Sequence, residues 1–224
     1  MKTIHFFLLF TGILCITSRI SGQQINWGSL HPQDKHIINA SLGAEYGVVY
    51  GLAYGYQIKN NVFPMIAGLE VSVPSGEHLL DDFKTKIGGR IRLVEVGHIG
   101  LSTSLYGVFR RTENEFVRLL NFGSDFSGAI GYYRSKWFVS GEFGFDKAIV
   151  TEYKHKEAYL DQFPGVVDGW YEPTTGGNFY YGLEAGYSFS SWDLFVKAGQ
   201  LVTQTWKTSP LLPYYGKVGV TVHL

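Results

Sequence analysis

The sequence contains almost no cysteine and has no long hydrophobic run beyond its first residues. Its single cysteine, Cys15, lies in an apolar stretch over 4–16 that follows the positive charge of Lys2. Such a stretch, followed by small and polar residues up to Ser21 and Gly22, is typical of a cleaved secretory signal peptide. The mature chain would then lack cysteine, which excludes disulfides, thiolate chemistry and cysteine-ligated metals.

The chain divides into a predicted signal peptide at 1–22, an N-terminal periplasmic segment at 23–36 and one domain at 37–224. A lipoprotein signal centred on Cys15 is the weaker alternative. Leu14 stands where lipid-attachment signals resemble one another in having a small residue. No stretch after the leader approaches about 18 apolar residues, so the sequence predicts no transmembrane helix.

An excess of charge of one sign is also absent. The full chain has 19 basic and 19 acidic side chains. Cleavage would remove Lys2 and Arg19, which leaves 17 basic against 19 acidic side chains and a net charge of −2. This balance suggests neither a nucleic-acid partner nor a polybasic membrane-surface protein.

Glycine and aromatic residues, in contrast, are abundant, and apolar side chains alternate with small or polar ones. There are 28 glycines, and 16% of the residues are aromatic. Between 38 and 58 every second residue is apolar or aromatic. Successive side chains of an extended strand point to opposite faces, so a period of two predicts β-structure. Similar alternation recurs to Leu224, and we interpret the whole domain as all-β.

The predicted connections between strands fall into two classes of length. Short turns are predicted at 59–61, 97–99, 134–136 and 190–191. Longer loops are predicted at 75–82, 110–116, 151–177 and 207–213. The two classes alternate along the chain, as the short periplasmic turns and long extracellular loops of transmembrane barrels do. The sequence therefore predicts an antiparallel up-and-down transmembrane β-barrel.

The number of strands follows from the position of the two termini. If both termini lie on the periplasmic side, the number must be even. The segment at 37–44 then forms the first strand and turns at Glu45, Tyr46 and Gly47 into the second. We predict ten strands, with eight as the alternative if 37–47 lies outside the sheet. A soluble secreted β-sandwich or lipocalin-like binder is the rival interpretation of the same alternation.

The strand face opposite the apolar one carries most of the charges. In a narrow barrel these groups would have to pair, because an isolated charge away from water costs several kcal/mol. We predict a network of lumen charges that occludes the barrel, with a narrow porin as the alternative. Its members are Glu70, Lys86, Arg90, Arg92, Asp125, Glu142, Asp146, Glu184, Lys197 and Lys217. Aromatic residues near strand ends are expected in an interface girdle.

The C-terminus ends in a polar residue, a glycine and two spaced hydrophobic positions, Lys217, Gly219, Val222 and Leu224. This pattern resembles the C-terminal assembly signal of bacterial outer-membrane barrels, with Leu224 in place of the usual terminal aromatic. The chain as a whole resembles the small, uncharacterised outer-membrane β-barrel proteins of bacteria. The resemblance implies a Gram-negative-type outer membrane, its lipid and the barrel-assembly machinery as partners, and it implies no activity.

The residues that could carry chemistry lie near the predicted extracellular ends. Asp146 or Glu152 with His155 could activate a water molecule for lipid or peptide hydrolysis, which makes a barrel enzyme the rival hypothesis. A histidine between two lysines is more often solvated, and the sequence has no Gly-x-Ser-x-Gly motif. We therefore predict a non-enzymatic protein with no catalytic residue, which acts structurally or binds an unidentified extracellular ligand or partner through its loops, chiefly 151–177.

Metal and cofactor sites are not expected either. Asp81 and Asp82 could contribute to a calcium site, but adjacent loop acids are usually solvated and no EF-hand spacing accompanies them. The histidines of the mature chain never pair at the spacing of metal ligands. The aromatic residues Trp170 and Tyr171 are expected to cap the barrel mouth.

Overall fold

A computed structural model of the protein describes residues 25–44, 47–59, 62–75, 82–174, 176–207, 210 and 212–224. The predicted signal peptide, Cys15 and Asp81 lie outside the described residues. The elements are β1 His36–Ala44, β2 Val48–Ile58, β3 Met65–Pro74, β4 Phe83–Val96, β5 Ile99–Glu113, β6 Val117–Tyr133, β7 Trp137–His155, α1 Glu157–Leu160, β8 Gly169–Tyr171, β9 Gly177–Ser188, β10 Trp192–Thr203 and β11 Tyr214–His223.

Ten of the eleven strands form a closed antiparallel barrel. Each of β1 to β6 pairs with the next strand along the chain. β7 then pairs with β9, which is followed in order by β10 and β11. β1 closes the barrel on β11, with Ile37 opposite His223 and Ala44 opposite Gly216. The short β8 pairs only with the far end of β7. The prediction of ten strands is confirmed, and the alternative of eight is wrong because β1 is paired on both sides.

The alternation in the sequence determines which side chains point outward. In β2 the side chains of Val49, Ala53 and their alternate neighbours face the lumen, whereas Tyr50, Leu52 and Tyr54 are exposed. A strand buried on one face only must alternate in this way, and a shift by one residue would exchange the two faces. The apolar face is therefore the outer face of the barrel.

The two ends of the barrel differ, and we name them by what they carry. At the terminal end, Lys35 and His36 donate backbone hydrogen bonds to Leu224 O, at 2.7 and 2.9 Å. The terminal end also carries the connections 59–64, 97–98, 134–136 and 189–191. The loop end carries the connections 45–47, 75–82, 114–116, 156–176 and 204–213. The longest connections thus lie at the loop end.

Three predicted boundaries are wrong. The charged segment 110–116 is mostly strand, because β5 continues to Glu113 and pairs there with Arg118 of β6. The long stretch 151–177 contains the end of β7, α1 and β8. The turn predicted at 59–61 extends to residue 64, and β3 begins only at Met65.

Close packing at one glycine gives a test of the barrel geometry. Gly88 of β4 lies against β5, and a Cβ atom there would be 2.1 Å from Leu105 O and 2.7 Å from Tyr106 Cα. Gly107 of β5 faces outward, and its added Cβ would be no closer than 3.7 Å to Ile87 O. Inserting a methyl group into a tightly packed site typically costs about 1–3 kcal/mol.

We expect Gly88→Ala to lower the free energy of unfolding by about 1–3 kcal/mol. The matched variant Gly107→Ala should change it by less than about 0.5 kcal/mol. The measurement is the urea midpoint in detergent micelles, followed by the heat-dependent shift in gel migration. Equal midpoints for the two variants would contradict the close approach of β4 and β5.

Candidate functional site

The lumen is lined by charged and polar side chains that are buried from solvent. The buried acids are Glu70, Asp125, Asp146, Glu184 and Asp193. The buried lysines and arginines are Lys84, Lys86, Arg90, Lys197 and Lys217. Among the described residues these five acids face five bases, and Glu142 and Arg110 add one of each, so the lumen is close to electrically neutral. A polar and neutral interior of this kind is sustainable only if the groups bond to one another.

Two lysines form the centre of this network. Lys86 of β4 pairs with Asp125 of β6, and both side chains are almost fully buried. The Tyr180 hydroxyl donates a hydrogen bond of 2.8 Å to Asp125 Oδ1. Lys197 of β10 pairs with Glu142 of β7, which also accepts a hydrogen bond of 2.8 Å from the Tyr215 hydroxyl. Each carboxylate therefore has one cationic and one phenolic partner.

Further ion pairs link other strands across the lumen. Arg110 of β5 pairs with Asp146 of β7 and donates a hydrogen bond of 2.9 Å to Asn121 Oδ1. Lys217 Nζ of β11 lies 3.8 Å from Glu70 Oε1 of β3. We call the set of pairs from Lys86–Asp125 to Lys217–Glu70 the ion-pair layer. The pairs link strands that are not neighbours in the barrel, so they bridge its interior.

Three further residues predicted for the network take part in none of these four ion pairs. Glu184 of β9 is buried opposite Lys197 in the strand register. Arg90 is buried on β4, within electrostatic reach of Glu184 and Glu142. Arg92 lies near the terminal end, where its Nη1 donates to Glu95 Oε2 at 3.0 Å. The structure therefore brings together eight of the ten predicted residues as direct or cross-strand partners, with Arg90 beside them and Arg92 elsewhere.

The predicted network omits several residues that the structure places in the lumen: Lys84, Arg110, Tyr180, Asp193 and Tyr215. Arg110 falls in a predicted loop because the apolar alternation ends at Phe109, whereas β5 continues to Glu113. Tyr180 and Tyr215 occupy inward positions of β9 and β11, where their hydroxyls reach the buried carboxylates. Their inward parity in the alternating pattern was the signal that could have identified them.

The chain before β1 folds back into the terminal end of the barrel. Ile25, Asn26 and Trp27 are buried there. Asn26 Nδ2 donates hydrogen bonds to Arg134 O at 2.8 Å and to Ser188 Oγ at 2.7 Å. The apolar cluster around this segment consists of Ile25, Trp27, Ile37, Ile66, Tyr133, Phe138 and Phe195. We call residues 25–30, which lie in the predicted periplasmic segment, the plug, because Ile25 and Trp27 are buried in this cluster at the terminal end.

The plug is fixed by one glycine and by a second buried pair. A Cβ atom at Gly28 would lie 2.8 Å from the carbonyl carbon of Arg134, so the backbone can approach only without a side chain. Ser29 Oγ donates to Asp193 Oδ1 at 3.3 Å. Asp193 Oδ2 in turn lies 3.0 Å from His223 Nε2. The plug is therefore hydrogen-bonded to β10 and, through Asp193, linked to β11.

At the loop end, β5, β6 and β7 extend beyond the barrel. β7 pairs with β9 only from Trp137 to Lys147. Beyond Lys147 it continues to pair with β6, and Thr151–Tyr153 pair with β8 on the other side. An irregularity in register beside Phe122 and Gly123 marks the place where the extension begins. We call the extension, consisting of residues 112–122 and 148–171, the flap. At about 3.3 Å per residue, the last eight residues of β7 project about 25 Å.

Charged pairs hold the flap together. Glu113 lies between Arg111 and Lys156, whose Nζ is 2.8 Å away. The hydrogen bond from Lys156, with that from Arg111, lowers the pKa of Glu113 below its ordinary value. Asp168 accepts hydrogen bonds from the His155 backbone at 2.8 Å and pairs with its Nδ1 at 2.7 Å. These hydrogen bonds, the backbone one first, lower the pKa of Asp168.

Aromatic side chains cover the flap. Tyr159 of α1 stacks on His155 with ring centres 5.1 Å apart and contacts Phe163 at 4.9 Å. Trp170 of β8 lies 6.0 Å from Phe122 and is about half exposed. Trp170 therefore packs on β6 of the flap and does not form the cap over the barrel mouth that the sequence predicts.

The three residues of the hydrolase hypothesis do not form one site. Asp146 is fully buried and paired with Arg110. Glu152 Oε2 lies 3.7 Å from Arg118 Nη2. His155 pairs with Asp168 and not with Asp146 or Glu152. Among the residues that the structure describes, no group of three histidines, cysteines or acids could hold a metal ion. Asp82 accepts a hydrogen bond from the Glu113 backbone, at 3.1 Å.

No helix in the described part of the chain is long and apolar enough to cross a membrane.

Comparison with known proteins adds little to this geometry. No protein-family model matches the chain, and no curated protein matches it. The chain is similar to the solved structure of a KdgM porin in complex with disordered oligogalacturonate, with a TM-score of 0.43 and 11% identity. The similarity covers 84% of this chain and 99% of that one. A likeness this distant decides nothing about the function of the protein.

The Lys86–Asp125 pair gives a test of the ion-pair layer. Removing one partner of a buried pair leaves an uncompensated charge and typically costs about 3–5 kcal/mol. We expect Lys86→Met and Asp125→Asn each to lose about that much free energy of unfolding. The double variant should lose less than the sum of the two, because no charge of the pair then remains. The measurement is a double-mutant cycle by urea unfolding in micelles.

The control for this cycle is Lys136→Met, at an exposed turn position, which should change the free energy of unfolding by less than about 0.5 kcal/mol. Losses that simply add in the double variant would show that Lys86 and Asp125 are not coupled.

Proposed function

We propose that this protein is an outer-membrane β-barrel with a closed lumen that acts through the flap at its loop end. In this proposal the terminal end faces the periplasm and the flap faces the exterior. The protein is not an enzyme but a structural or binding component of the cell envelope. The flap would contact an extracellular ligand or partner.

The observation that carries the proposal is the apolar outer face of the barrel. Soluble monomers rarely expose contiguous apolar patches larger than a few hundred Å². Here exposed aliphatic residues occur on strands all around the barrel, and six of them are 55–69% exposed. These six are Leu52, Ile87, Leu105, Ile130, Leu183 and Val196. A lipid bilayer would cover such a belt, whereas a soluble sandwich would bury it in a core.

Strand length and aromatic positions support the same interpretation. A tilted strand crosses a bilayer with about 9–11 residues, and β7 pairs with β9 over 137–147. At the terminal end Trp137 stacks on Tyr132 at 5.4 Å, and Trp192 stacks on Phe189 at 3.9 Å. Exposed aromatic rings at this level suit the interface between lipid and water.

Two layers support the proposal of a closed lumen. The plug seals the terminal end with buried apolar side chains and hydrogen bonds to Arg134 O and Ser188 Oγ. The ion-pair layer fills the interior above it with long side chains that bond to one another. A hydrated solute would have to break these pairs, which favours a closed barrel over a narrow porin.

The C-terminal pattern suits recognition by the barrel-assembly machinery. Leu224 is exposed at the end of β11, and its backbone N donates to His36 O at 2.8 Å. Gly219 faces inward, where a Cβ atom would lie 2.5 Å from Ala40 O. Lys217 points into the lumen towards Glu70. These positions allow the last strand to pair with β1 once assembly is complete.

The membrane location is tested by fractionation. We expect the expressed protein to stay in the outer-membrane fraction after washing at alkaline pH, because its belt of exposed aliphatic residues requires lipid. Purified protein should migrate differently on gels before and after heating. The measurement is immunoblotting of the fractions, with a periplasmic protein as the soluble control. Recovery of the washed protein in the soluble fraction would contradict the membrane proposal and favour the soluble binder.

The closed lumen is tested by conductance in planar bilayers. We expect wild-type protein to insert without stable single-channel steps, because in this proposal a hydrated solute would have to displace the plug and break the ion-pair layer. Insertion is verified in parallel by the heat-dependent gel shift of protein recovered from vesicles. Reproducible conductance steps from inserted wild-type protein would show instead that the barrel is a narrow porin.

A further inference from the structure

A row of aromatic side chains crosses the outer face of the barrel where the flap begins. Its members, on β4, β5, β6 and β8, are Phe83, Phe109, Phe122 and Trp170. The ring centres of successive members are 5.7, 5.0 and 6.0 Å apart. Phe122 and Trp170 are about half exposed. The row lies between the belt of exposed aliphatic residues and the charged part of the flap, as aromatic residues do where lipid meets water.

Cations follow the aromatic row on the same face. Arg111 lies two residues beyond Phe109 on β5. On β6, Arg118 is separated from Phe122 by four positions, and Lys154 of β7 lies opposite Arg118 in the register. At about 3.3 Å per residue and a strand tilt of about 45°, these cations lie about 5–9 Å above the aromatic row. The headgroup layer of a bilayer is about 5–8 Å thick on each side, so the cations are at the level of lipid headgroups.

Arg118 and Lys154 form a cross-strand pair of like charges. Side chains directly opposite on antiparallel strands are neighbours, and like charges there are destabilising. The carboxylate beside Arg118 is that of Glu152, whose Oε2 lies 3.7 Å from Arg118 Nη2, which is longer than a hydrogen bond. Lys154 is exposed, and Asp168 lies within its electrostatic reach but is bonded to His155. An anion placed between the two cations would remove their repulsion.

Positive charge is in excess on the part of the flap nearest to the barrel wall. Four cations lie on this face with two acids, Glu113 and Glu152. The four are Arg111, Arg118, Lys154 and Lys156. The exposed acids Glu115 and Glu157 lie beyond them, in the turn after β5 and in α1. An arginine and a lysine together suit a phosphate group, because the guanidinium can bond to two of its oxygens and the ammonium adds a point charge.

We propose that this face of the flap binds the phosphate group of a lipid in the outer leaflet. The phosphate lies between Arg118 and Lys154. The acyl chains run over Phe122 and Trp170 onto the belt of aliphatic residues. The aromatic row directly below the cations favours a lipid, since a free phosphate has no apolar part to place there. The inference rests on the proposed location in the outer membrane with the flap facing the exterior, and it names a lipid as a partner of the flap.

The test is lipid binding by the full-length mature protein in detergent micelles, measured by native mass spectrometry. The probe is dioleoyl phosphatidic acid, and dioleoylglycerol has the same chains without the phosphate. We expect phosphatidic acid to bind saturably and at least about tenfold more tightly than dioleoylglycerol, because dioleoylglycerol cannot make hydrogen bonds between charged groups. Inorganic phosphate has the charge without the chains, and it should bind at least about tenfold more weakly than phosphatidic acid because it buries no apolar surface.

Variants at the two opposed cations separate this site from binding elsewhere. The double variant Arg118→Gln/Lys154→Gln should bind phosphatidic acid at least about tenfold more weakly than wild type. The matched control Lys136→Gln/Lys207→Gln removes two exposed charges away from this face and should leave the affinity unchanged. Gel migration before and after heating shows that each variant is folded. If the double variant does not fold, Lys154→Gln alone changes an exposed side chain and should also weaken binding.

Three results would overturn the lipid site. They are equal affinity for phosphatidic acid and dioleoylglycerol, equal affinity for phosphatidic acid and inorganic phosphate, and affinity in the folded variant that is unchanged or lowered no more than in the control. Washing of membranes at alkaline pH distinguishes this failure from that of the proposed function. Wild-type protein that stays in the outer-membrane fraction but gives one of these results contradicts the lipid site alone. Recovery in the soluble fraction contradicts both.

Discussion

The pairing of β1 with β11 is the constraint on which the rest of the structure depends. It removes both free edges of the sheet, which would otherwise be open to pairing with other chains. It also encloses every inward side chain in a narrow space. Charges that face inward can no longer be hydrated by bulk water, so they must be compensated by one another. The equal numbers of buried acids and bases follow from this closure.

The ion pairs also bear on the register of the barrel. Lys86 bridges β4 to β6, and Lys197 bridges β10 to β7. A shift of one residue in any of these strands would turn its charge outward and leave the partner buried alone. Backbone hydrogen bonds between strands tolerate such shifts far better, because every residue supplies the same donor and acceptor. Buried charges thus penalise wrong registers. Apolar side chains could fill the same space, but they would leave no unpaired charge after a shift.

The sequence predicts the strands and the direction of their side chains, because both depend on a local period of two. It also places Asp125, Glu142 and Lys197 inside, since parity alone decides this. Which charge meets which cannot be read locally, because Lys86 and Asp125 are brought together by strands that are not neighbours. The plug has no periodic signal at all. Its burial depends on contacts of Asn26 with Arg134 and Ser188, far along the chain.

The long connection after β7 has a structural reason besides any role in binding. β9 leaves β7 at Lys147, so the eight residues above it would present an unpaired edge. β8 covers part of that edge by pairing Gly169–Tyr171 with Thr151–Tyr153. Asp168 then fixes the return of the chain by accepting two hydrogen bonds from His155. Edge protection therefore requires a returning segment at this place, and the aromatic residues that it carries face outward as a consequence of where it must pair.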